Sequence, residues 1–411
     1  MNMADQHVAH ANMAVNAPHS TFNLAAAPNW KAQRLQYYRS LAQRCNQPTA
    51  LAADVAQSTT VGALAGVPAH EFYVQPWVAL RAPVPMEDDS GRMAQGEPHA
   101  MRLDHCLSGQ ADDAVVKEAM ARRSFLLVGQ GGMGKTTALN QIAWQHTQAR
   151  AGEAASNAPL VLLRLPAVAQ YLGAAPHKQL QQAVLAALRA DIQLGLDCTP
   201  EVAAALAQQI DDDLATQPGL LLFDALDEVA ETQRGAALRA VLAYQRSHTV
   251  QGLPHTVIVS GRPYGFEQAD ASDTLGTRFA RLDLMPMNHG RRQEFVQAYF
   301  AAQTMVDRAS VKLPPAARNL LQRLQDGSSL AELAGTPLVL FLLCLLSARP
   351  GATELPTSRA LLLDEVVKLW VNQWDAKRQV ADRLDLTTCL RLNEQHDALR
   401  AALQADRKSV V

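Results

Sequence analysis

Eight consecutive residues near the middle of the chain constrain its fold more than any other feature. The run Gly129–Thr136 reads GQGGMGKT and fits the pattern G-x-x-x-x-G-K-[ST]. Glycines at these positions let backbone N–H groups curl around phosphates at the start of a helix. Lys135 then reaches the β- and γ-phosphates, and the Thr136 hydroxyl binds Mg²⁺. We therefore predict a phosphate-binding loop, or P-loop, whose nucleotide contacts are Gly129, Gln130, Gly131, Gly132, Met133, Gly134, Lys135, Thr136 and Thr137.

A second pattern overlaps the first. Gly129, Gly131 and Gly134 also fit G-x-G-x-x-G, which is typical of dinucleotide-binding sites. Such sites need an acidic residue about 20 positions further on to hold a ribose. The second predicted strand ends instead in Arg164-Leu165-Pro166, without an acid. Because the dinucleotide interpretation also leaves the Gly-Lys-Thr triplet unused, we favour the P-loop over it and over a plain glycine-rich turn.

Around the loop, short apolar strands alternate with helices, which favours an α/β fold. Five strands are predicted, at Phe125–Val128, Leu160–Leu165, Gly219–Phe223, Thr256–Ser260 and Phe279–Leu284. Near-continuous apolar strands are typical of a parallel sheet that helices cover on both faces. The intervening helices are predicted at Lys135–Arg150, Lys178–Ala190 and Gln233–Arg246. After Met287 the pattern is helical, with segments at Arg291–Ala302, Pro315–Leu324, Ser328–Leu346 and Ser358–Trp374.

Upstream of the loop the sequence is less regular. Residues 1–28 are rich in Ala, Asn and His without periodicity, so we expect a disordered leader. Helices are predicted at Asn29–Gln43 and Asp112–Ala121. A proline limits the aromatic and β-branched run Glu71–Leu80 to an edge strand or an extended segment. Three prolines, two glycines and several charges make Arg81–His99 a predicted linker.

Acids at the end of an apolar strand supply the second half of the predicted site. Residues 220–228 read LLLFDALDE, so Asp224 ends the strand and Asp227 and Glu228 follow within one turn. A carboxylate at a strand end beside a P-loop is what Mg²⁺ binding requires, so Asp224 is predicted as the acid on the Mg²⁺ side. Asp227 and Glu228 are both candidates for orienting or activating the attacking water. Acids that serve the dipole of a following helix are the alternative.

Two further segments carry candidate ligand contacts. The fourth strand ends in Ser-Gly-Arg-Pro, which places Arg262 at the sheet edge where a nucleotide sits. There it can sense the γ-phosphate or stabilise developing charge, and a surface arginine in a turn is the alternative. The GTPL segment at Gly335–Leu338 puts Pro337 either near the ligand or at the first turn of a new helix. A new helix there would split Ser328–Leu346 in two.

Composition excludes several classes of protein. The chain has 37 Lys+Arg against 39 Asp+Glu, a net charge of −2, which argues against binding nucleic acid through bulk charge. Lysine is rare, so a chance Gly-Lys-Thr after a glycine loop is improbable. Five scattered cysteines without metal-ligand spacing favour reduced thiols in a cytoplasmic protein. The apolar run Leu338–Leu346 is too short to cross a bilayer and no signal peptide is visible, so no membrane partner is expected.

Taken together, these segments resemble the NACHT family of signal-transduction NTPases, which belong to the STAND class and are related to NOD-like receptors. The most specific part is Asp224–Glu228: an aspartate, a small residue, an apolar residue, then Asp-Glu. The resemblance spans roughly Glu71 to Trp374 and includes the segments LVLLRLPAVAQYL, SGRP, LMPMNHGRRQEFVQAYF, GTPL and LPTSRALLLDEVVKLWVNQW. It departs at Gly261, where the family usually has Ser or Thr before Arg-Pro.

The resemblance implies an architecture. It comprises an AAA+-like core with strand order 5-1-4-3-2, a helical domain and a winged-helix domain. The boundaries expected here are a leader at 1–28, a helical and extended region with a linker at 29–100, the NTPase core at 101–287, a helical domain at 288–350 and a winged-helix region at 351–411. Family members continue into a sensor domain, so we expect this chain to be truncated. Its last six residues are also what one reading frame of a common sequencing adapter encodes.

The resemblance also implies residue roles. Phosphate and Mg²⁺ binding falls to Lys135, Thr136 and Asp224. The hydrolytic acids are Glu228 with Asp227, Arg262 acts as a sensor of the γ-phosphate, and Pro337 contacts the base. The implied cofactors are ATP or ADP with Mg²⁺, and the preference for ATP over GTP rests on the resemblance alone.

The function implied by the resemblance is a nucleotide switch that is closed with ADP, opens and self-associates with ATP, and hydrolyses ATP slowly. Bacterial proteins of this kind resemble antiphage sensors, so an unidentified protein or ligand trigger is expected. Two alternatives stay open: a nucleotide-binding scaffold without useful turnover, and a motor-like AAA+ ATPase. The complete set of Lys135, Asp224 and Glu228 favours hydrolysis over the scaffold. The Asp-Glu tail and the following helices favour the switch over the motor.

Overall fold

The structure is a computed structural model, and part of the chain is described by it. The described residues are 30–47, 68–85, 93–108, 114–121, 123–148, 158–174, 180–248, 255–267, 279–304 and 313–348, with 355, 356, 358, 360–362, 364 and 365. The predicted leader and most of the predicted winged-helix region lie outside them. Within these ranges, no helix combines the length and the apolar character that crossing a membrane requires.

A seven-stranded sheet organises the described part of the chain. Its strands are β1 (Trp77–Pro85), β2 (Met93–Arg102), β3 (Ser124–Val128), β4 (Leu160–Arg164), β5 (Leu220–Asp224), β6 (Thr256–Gly261) and β7 (Ala280–Leu284). They lie in the order β2-β1-β7-β3-β6-β5-β4. Strands β3 to β7 are parallel, and counted along the chain they stand in the order 5-1-4-3-2. Every residue of β3 and β5 is buried, so both faces of the sheet are covered there.

Helices occupy the connections and the region after the sheet, so the predicted α/β class is confirmed. They are α1 (Trp30–Cys45), α2 (Leu103–Ser108), α3 (Ala114–Ala121), α4 (Lys135–Gln148), α5 (Leu165–Ala169), α6 (Leu180–Leu196), α7 (Pro200–Thr216), α8 (Glu231–His248), α9 (Pro263–Glu267), α10 (His289–Thr304), α11 (Pro315–Arg323), α12 (Ser329–Leu333) and α13 (Pro337–Ser347). The segment predicted as Ser328–Leu346 is split into α12 and α13 at the GTPL turn, as the first-turn proline allows.

The described parts of the segment predicted as a linker, residues 81–85 and 93–99, belong instead to two paired strands that widen the sheet. Strand β1 pairs antiparallel with both β2 and β7, and a register shift falls between Arg81 and Pro83. Pairing with β7 covers only Val78–Arg81, so the prolines of β1 lie beyond the doubly paired part. Proline is tolerated at such edges and irregularities. The linker prediction was wrong because long-range pairing outweighs the local turn signals.

Helix α7 was not predicted at all. It begins after Thr199 with Pro200 at its first turn and Glu201 beside it, which is an ordinary helix start. Its apolar stripe of Leu206, Ile210 and Leu214 is fully buried. The spacing of four residues between these side chains is the signal that could have identified the helix.

Buried apolar residues form two clusters, one around the sheet and one around the later helices. The first runs from Tyr37 to Leu284 along the chain and contains the sheet. The second runs from Met287 to Leu362 and contains the apolar residues of α10, α11 and α13. Phe72 and Val74, which precede the sheet in sequence, pack against the second cluster. The segment before β1 therefore connects the two parts of the structure.

Ion pairs and hydrogen bonds attach helix α1 to the helices beside the sheet. Arg44 donates to both carboxylate oxygens of Asp191 on α6 at 2.9 Å, and the Tyr37 hydroxyl donates to the same carboxylate at 2.8 Å. Arg34 pairs with Asp213 on α7. Partly buried contacts of this kind restrict how α1 can sit, because three side chains of α1 hold two carboxylates on α6 and α7. The C-terminal end of α1 is thereby placed next to α4, the helix that follows the P-loop.

Candidate functional site

The predicted P-loop connects β3 to α4 and has the backbone shape that its sequence requires. Gly132 and Gly134 have φ angles of +78° and +86°, in the left-handed region that side chains disfavour. The amide of Met133 donates to the carbonyl of Gln130 at 3.3 Å, which curls the loop. The amide of Ala138 donates to the carbonyl of Gly134 at 2.8 Å and closes the first turn of α4. The helix N-terminus therefore points into the loop, as anion binding requires.

The Lys135 ammonium lies over this loop. Its Nζ donates to the carbonyl oxygens of Gly129 at 2.7 Å and Gln130 at 3.2 Å. Burial lowers the pKa of Lys135, although the nearby Asp227 carboxylate acts in the opposite direction. An ammonium held by neutral carbonyls is available to a stronger acceptor such as a phosphate oxygen.

Two hydroxyl groups hold the Asp224 carboxylate at the end of β5. Thr136 Oγ1 donates to Asp224 Oδ2 at 2.8 Å, and Ser260 Oγ donates to Asp224 Oδ1. Asp224 is only 4% exposed, and Ser260 is completely buried. Thr136 is the first-turn residue of α4, whereas Ser260 belongs to β6, so three elements converge on one carboxylate. The structure thus brings together the predicted metal-side pair, Thr136 and Asp224, and adds Ser260.

Asp227 is engaged by Arg262 through both carboxylate oxygens. Oδ1 accepts the Arg262 amide at 3.0 Å, and Oδ2 lies 3.0 Å from the guanidinium Nε. The Asp227 side chain is 7% exposed, and Arg262 is about half exposed. The guanidinium lies against the P-loop. A Cβ atom built on Gly131 would be only 3.6 Å from Arg262 Nη2. Asp227 therefore holds Arg262 beside the loop.

Glu228 has a different environment from its neighbour. Its carboxylate pairs with Arg164, the last residue of β4, and both side chains are more than half exposed. Strand β4 pairs with β5 so that Arg164 is opposite Asp224, which explains how the arginine reaches this acid. An exposed pair of this type contributes little to stability and can rearrange readily. Of the two candidate acids, Glu228 is the one whose carboxylate is held by a single exposed partner.

The departure from the NACHT pattern at Gly261 has a steric reason. A Cβ added to Gly261 would lie 3.0 Å from the ring of Phe266 and 3.3 Å from the Cβ of Leu226. Contacts of that length require the neighbours to give by a few tenths of an ångström, so a side chain at this position is tightly packed against Phe266 and Leu226. The backbone still places Arg262 in register with the loop.

A cavity of about 350 Å³ adjoins these residues and continues beyond them. At one end it is lined by the P-loop, Asp224, Glu228 and Arg262. Residues from outside the sheet complete the lining: Pro337 and Leu338 lie against the P-loop itself, and the others are Cys45, Gln47, Ala69, Phe72, Phe295 and Phe341. The rings of Phe72 and Phe341 lie 6.3 Å apart. The cavity therefore has a polar end at the loop and an apolar end between the pre-sheet segment and the later helices.

The turn before α13 touches the P-loop directly. The amide of Leu338 donates to the carbonyl of Gly132 at 3.3 Å. The Thr336 hydroxyl accepts the Val339 amide at 3.4 Å and so caps the helix. Pro337 lies against Gly134, at 3.8 Å from a Cβ added there. The structure thus places both predicted alternatives for Pro337 together: it starts a helix and lines the cavity.

Sequence reasoning missed three residues that line or support this cavity. The sequence pattern marks Ser260 only as a strand residue, and Arg164 only as the residue that stands where a dinucleotide site needs an acid. Gln141 lines the cavity from α4 and is 5% exposed. Its place on the helix that begins at the P-loop is the signal that could have identified it.

The donors at the polar end fit Mg²⁺ rather than a softer metal. They are the Thr136 hydroxyl and the Asp224 carboxylate, and Mg²⁺ prefers oxygen ligands supplied by one or two carboxylates together with phosphate. In the described residues, no cluster of three or more His, Cys, Asp or Glu side chains is arranged to hold a metal. These two groups could therefore hold one side of a Mg²⁺ ion, with a phosphate supplying further oxygen ligands.

A glycine-rich loop between a strand and a helix, in a mixed α/β sheet with an acid at the neighbouring strand end, defines a P-loop NTPase in the general sense. Residues 109–289 match the family model of the bacterial TniB protein, a P-loop NTPase-like family. The match covers less than half of the chain but contains the P-loop, Asp224 and Arg262. No curated protein matches the chain. The more specific resemblance to NACHT proteins stays a prediction.

Proposed function

We propose that the chain binds ATP with Mg²⁺ in this cavity, hydrolyses it slowly and uses the bound nucleotide as a switch of the NACHT type. The observation that carries the proposal is the contact between the P-loop and α13, because Leu338 donates to Gly132 of the loop. Through that bond, a movement of the P-loop when phosphates bind or leave is transmitted to α13. A motor-like ATPase would have the same nucleotide site, so the site alone does not distinguish the two functions. The contact with α13 and the Asp-Glu tail after Asp224 favour the switch.

The apolar end of the cavity is suited to a nucleobase. Phe72 and Phe341 offer ring faces, and aromatic stacking on a base contributes about 1–3 kcal/mol. Gln141 follows Lys135 by six residues, so its Cα lies about 9 Å further along α4, away from the phosphate-binding end of the helix. An amide donates and accepts at once and pairs in a bidentate manner with adenine. These features support ATP and ADP as the nucleotides.

The acids and arginines at the polar end support distinct roles in hydrolysis. We assign Glu228 to the attacking water, since its carboxylate becomes available once it leaves Arg164. Arg262 faces the γ-phosphate side of the loop and stabilises charge there. Asp227 positions Arg262 and does not activate water. Mg²⁺, held by Thr136 and Asp224, neutralises the phosphate oxygens when it is bound.

One observation favours the scaffold as the second candidate. Both candidate acids are paired with arginine, Asp227 with Arg262 and Glu228 with Arg164. If Glu228 never leaves Arg164, the site binds nucleotide without turning it over. Self-association and a protein or ligand trigger remain part of the proposal, whereas the defence role stays a prediction without support from the site.

Turnover and particle mass test the proposal together. Phosphate release and mass in solution are measured for the wild type, Lys135→Ala and Glu228→Gln with ATP or ADP. The switch predicts slow release by the wild type alone, and a larger particle with ATP for the wild type and Glu228→Gln. Equal release by all three variants would reject the site. Binding without release by the wild type would favour the scaffold, and GTP competing as well as ATP would reject the assignment of the base.

A further inference from the structure

Ser260 stands out because its hydroxyl is buried among apolar strands and makes two hydrogen bonds, both to residues at the end of β5. It is the fifth residue of β6 and has no exposed surface. Its Oγ accepts the amide of Ala225 at 3.2 Å and donates to Asp224 Oδ1. A serine hydroxyl has one proton, so with the amide fixed as donor the proton of Ser260 must go to Asp224.

This arrangement fixes the direction of a second hydroxyl. With Oδ1 of Asp224 occupied by Ser260, Oδ2 accepts the proton of Thr136 at 2.8 Å. The Thr136 proton then points towards the carboxylate, and the lone pairs of its Oγ1 face the cavity. Lone pairs are what a cation requires, so the orientation of Thr136 depends on Asp224, and that of Asp224 depends on Ser260.

We propose that Ser260 is a positioning residue for the Mg²⁺ ion of the bound nucleotide and acts through Asp224. The proposal rests on the nucleotide binding proposed above. Without the Ser260 hydroxyl, Asp224 is free to turn about its side-chain bonds, and Thr136 loses its fixed acceptor. The affinity for Mg²⁺ then falls, whereas contacts of the P-loop amides and Lys135 with the phosphates are unchanged.

A purely structural role for Ser260 makes a different prediction. The hydroxyl also ties β5 to β6 by accepting the amide of Ala225, a non-glycine residue with a φ of +64°. If that tie were its whole purpose, removing it would weaken nucleotide binding equally with and without Mg²⁺. The Mg²⁺ dependence of nucleotide affinity separates the two roles.

The experiment titrates a fluorescent ATP analogue into the wild type, Ser260→Ala and Ser124→Ala, first in EDTA and then at rising Mg²⁺. Ser124 is the matched control, because it is a buried serine of the neighbouring strand β3. We expect equal affinities in EDTA and a Mg²⁺ midpoint shifted upward roughly tenfold for Ser260→Ala alone, the effect of one hydrogen bond to a charged group. Thermal melts of each variant report whether it is folded.

Each other outcome has a stated meaning. An equal loss of affinity in EDTA and in Mg²⁺, or no loss at all, overturns the proposal. If Ser260→Ala does not fold, Ser260→Cys replaces it, since a thiol is similar in size but a weaker donor. An unchanged Mg²⁺ midpoint in Ser260→Cys would also overturn the proposal. Failure of the wild type to bind the analogue in any buffer would instead reject the proposed function, and this inference with it.

Discussion

Two adjacent carboxylates, Asp227 and Glu228, have opposite surroundings although the sequence presents them as equivalent. Asp227 is 7% exposed and is held on both oxygens by Arg262, whereas Glu228 is 53% exposed and pairs with one arginine. One oxygen of Asp227 accepts the Arg262 amide and the other pairs with the guanidinium, so both oxygens are engaged within the fold. This difference supports the proposed roles, which are positioning for Asp227 and the attacking water for Glu228.

A double-mutant cycle tests the assignment of Asp227. We expect Asp227→Asn and Arg262→Gln each to lower ATP turnover about tenfold or more, because the first leaves the guanidinium misplaced and the second removes it. The double variant is expected to be no slower than the slower single variant, since both changes remove the same interaction. The measurement is phosphate release under saturating ATP.

The control for this cycle is Glu231→Gln, a change to an exposed acid three residues beyond Glu228. It is expected to leave the rate unchanged. If the two single effects multiply in the double variant, Asp227 acts independently of Arg262, and its role as a positioning residue is wrong.

The sequence predicts residues whose role follows from spacing alone. The P-loop residues and Asp224 belong to this class, because a glycine loop after a strand and an acid at a neighbouring strand end leave little choice of position. Partnerships across strands are different. That Arg164 reaches Glu228 and that Ser260 reaches Asp224 depends on the order and register of β4, β5 and β6, which local sequence does not specify.

At the scale of elements, the contact between the P-loop and α13 is the one most relevant to a switch. Gly132 has a φ of +78°, and a Cβ added there would lie 3.1 Å from the Cβ of Leu338. Gly134 has a similar φ of +86°, but a Cβ added there would come no closer than 3.8 Å to Pro337. The two glycines therefore share the same backbone requirement and differ in their contact with the helix.

Alanine substitutions at the two glycines test this contact. Each is expected to destabilise the chain by about 1 kcal/mol through backbone strain. Gly132→Ala is expected to cost about 1–2 kcal/mol more than Gly134→Ala, because the added methyl group presses against Leu338. The free energy of unfolding in denaturant, without nucleotide, is the measurement. Equal losses would mean that α13 does not rest on the loop in solution.

The contribution of the contact between α7 and α8 to stability is expected to depend on pH. His248 ends α8, with Nε2 3.0 Å from Asp211 Oδ1 and Nδ1 2.8 Å from the Tyr244 carbonyl. Burial by itself lowers the pKa of His248, but the hydrogen bonds to Asp211 and Tyr244 outweigh it and raise the pKa above its usual value. The resulting stabilisation is complete below the unfolded pKa of about 6.5 and is lost as pH rises through the folded pKa.

An asparagine variant of Asp211 separates the effect of the Asp211–His248 pair from that of His255. Burial lowers the pKa of His255, which is opposite to the shift of His248. Asp211→Asn is expected to lose more unfolding free energy at about pH 6 than at about pH 8.5. The adjacent Asp212→Asn is the control, since Asp212 accepts a hydrogen bond from Gln208 and does not touch the histidine. A loss that is the same at both pH values would contradict the raised pKa.

Elements were predictable where their pattern is local and were missed where it is not. Strands β3 to β6 are near-continuous apolar runs, β7 (ARLDL) alternates apolar and charged residues, and the GTPL turn contains its own helix start. The paired strands β1 and β2 are stabilised by the pairing of β1 with β7, some 200 residues away in sequence. The prolines and glycines of this segment therefore predicted a linker where the structure has strands. Its misassignment as a linker shows tertiary pairing overriding local propensity.

At the scale of the whole molecule, three parts of the chain meet at one cavity. The segment before β1 contributes Phe72, the sheet contributes the P-loop and its acids, and the later helices contribute Phe341 and Leu338. Because the apolar clusters of the sheet and of the later helices are separate, a ligand that touches both can alter how they associate. This convergence is what a nucleotide switch requires.

Nucleotide affinity at the P-loop tests the central claim most directly. Calorimetric titration of ATP with Mg²⁺ is performed on the wild type and on Lys135→Ala, with Lys117→Ala, a change to an exposed lysine of α3, as the control. We predict one saturable site in the wild type and in the control. Binding is expected to be roughly 100-fold weaker in Lys135→Ala, because charge-assisted bonds to phosphate are lost. Equal affinities in all three, or no binding by the wild type, would contradict the central claim.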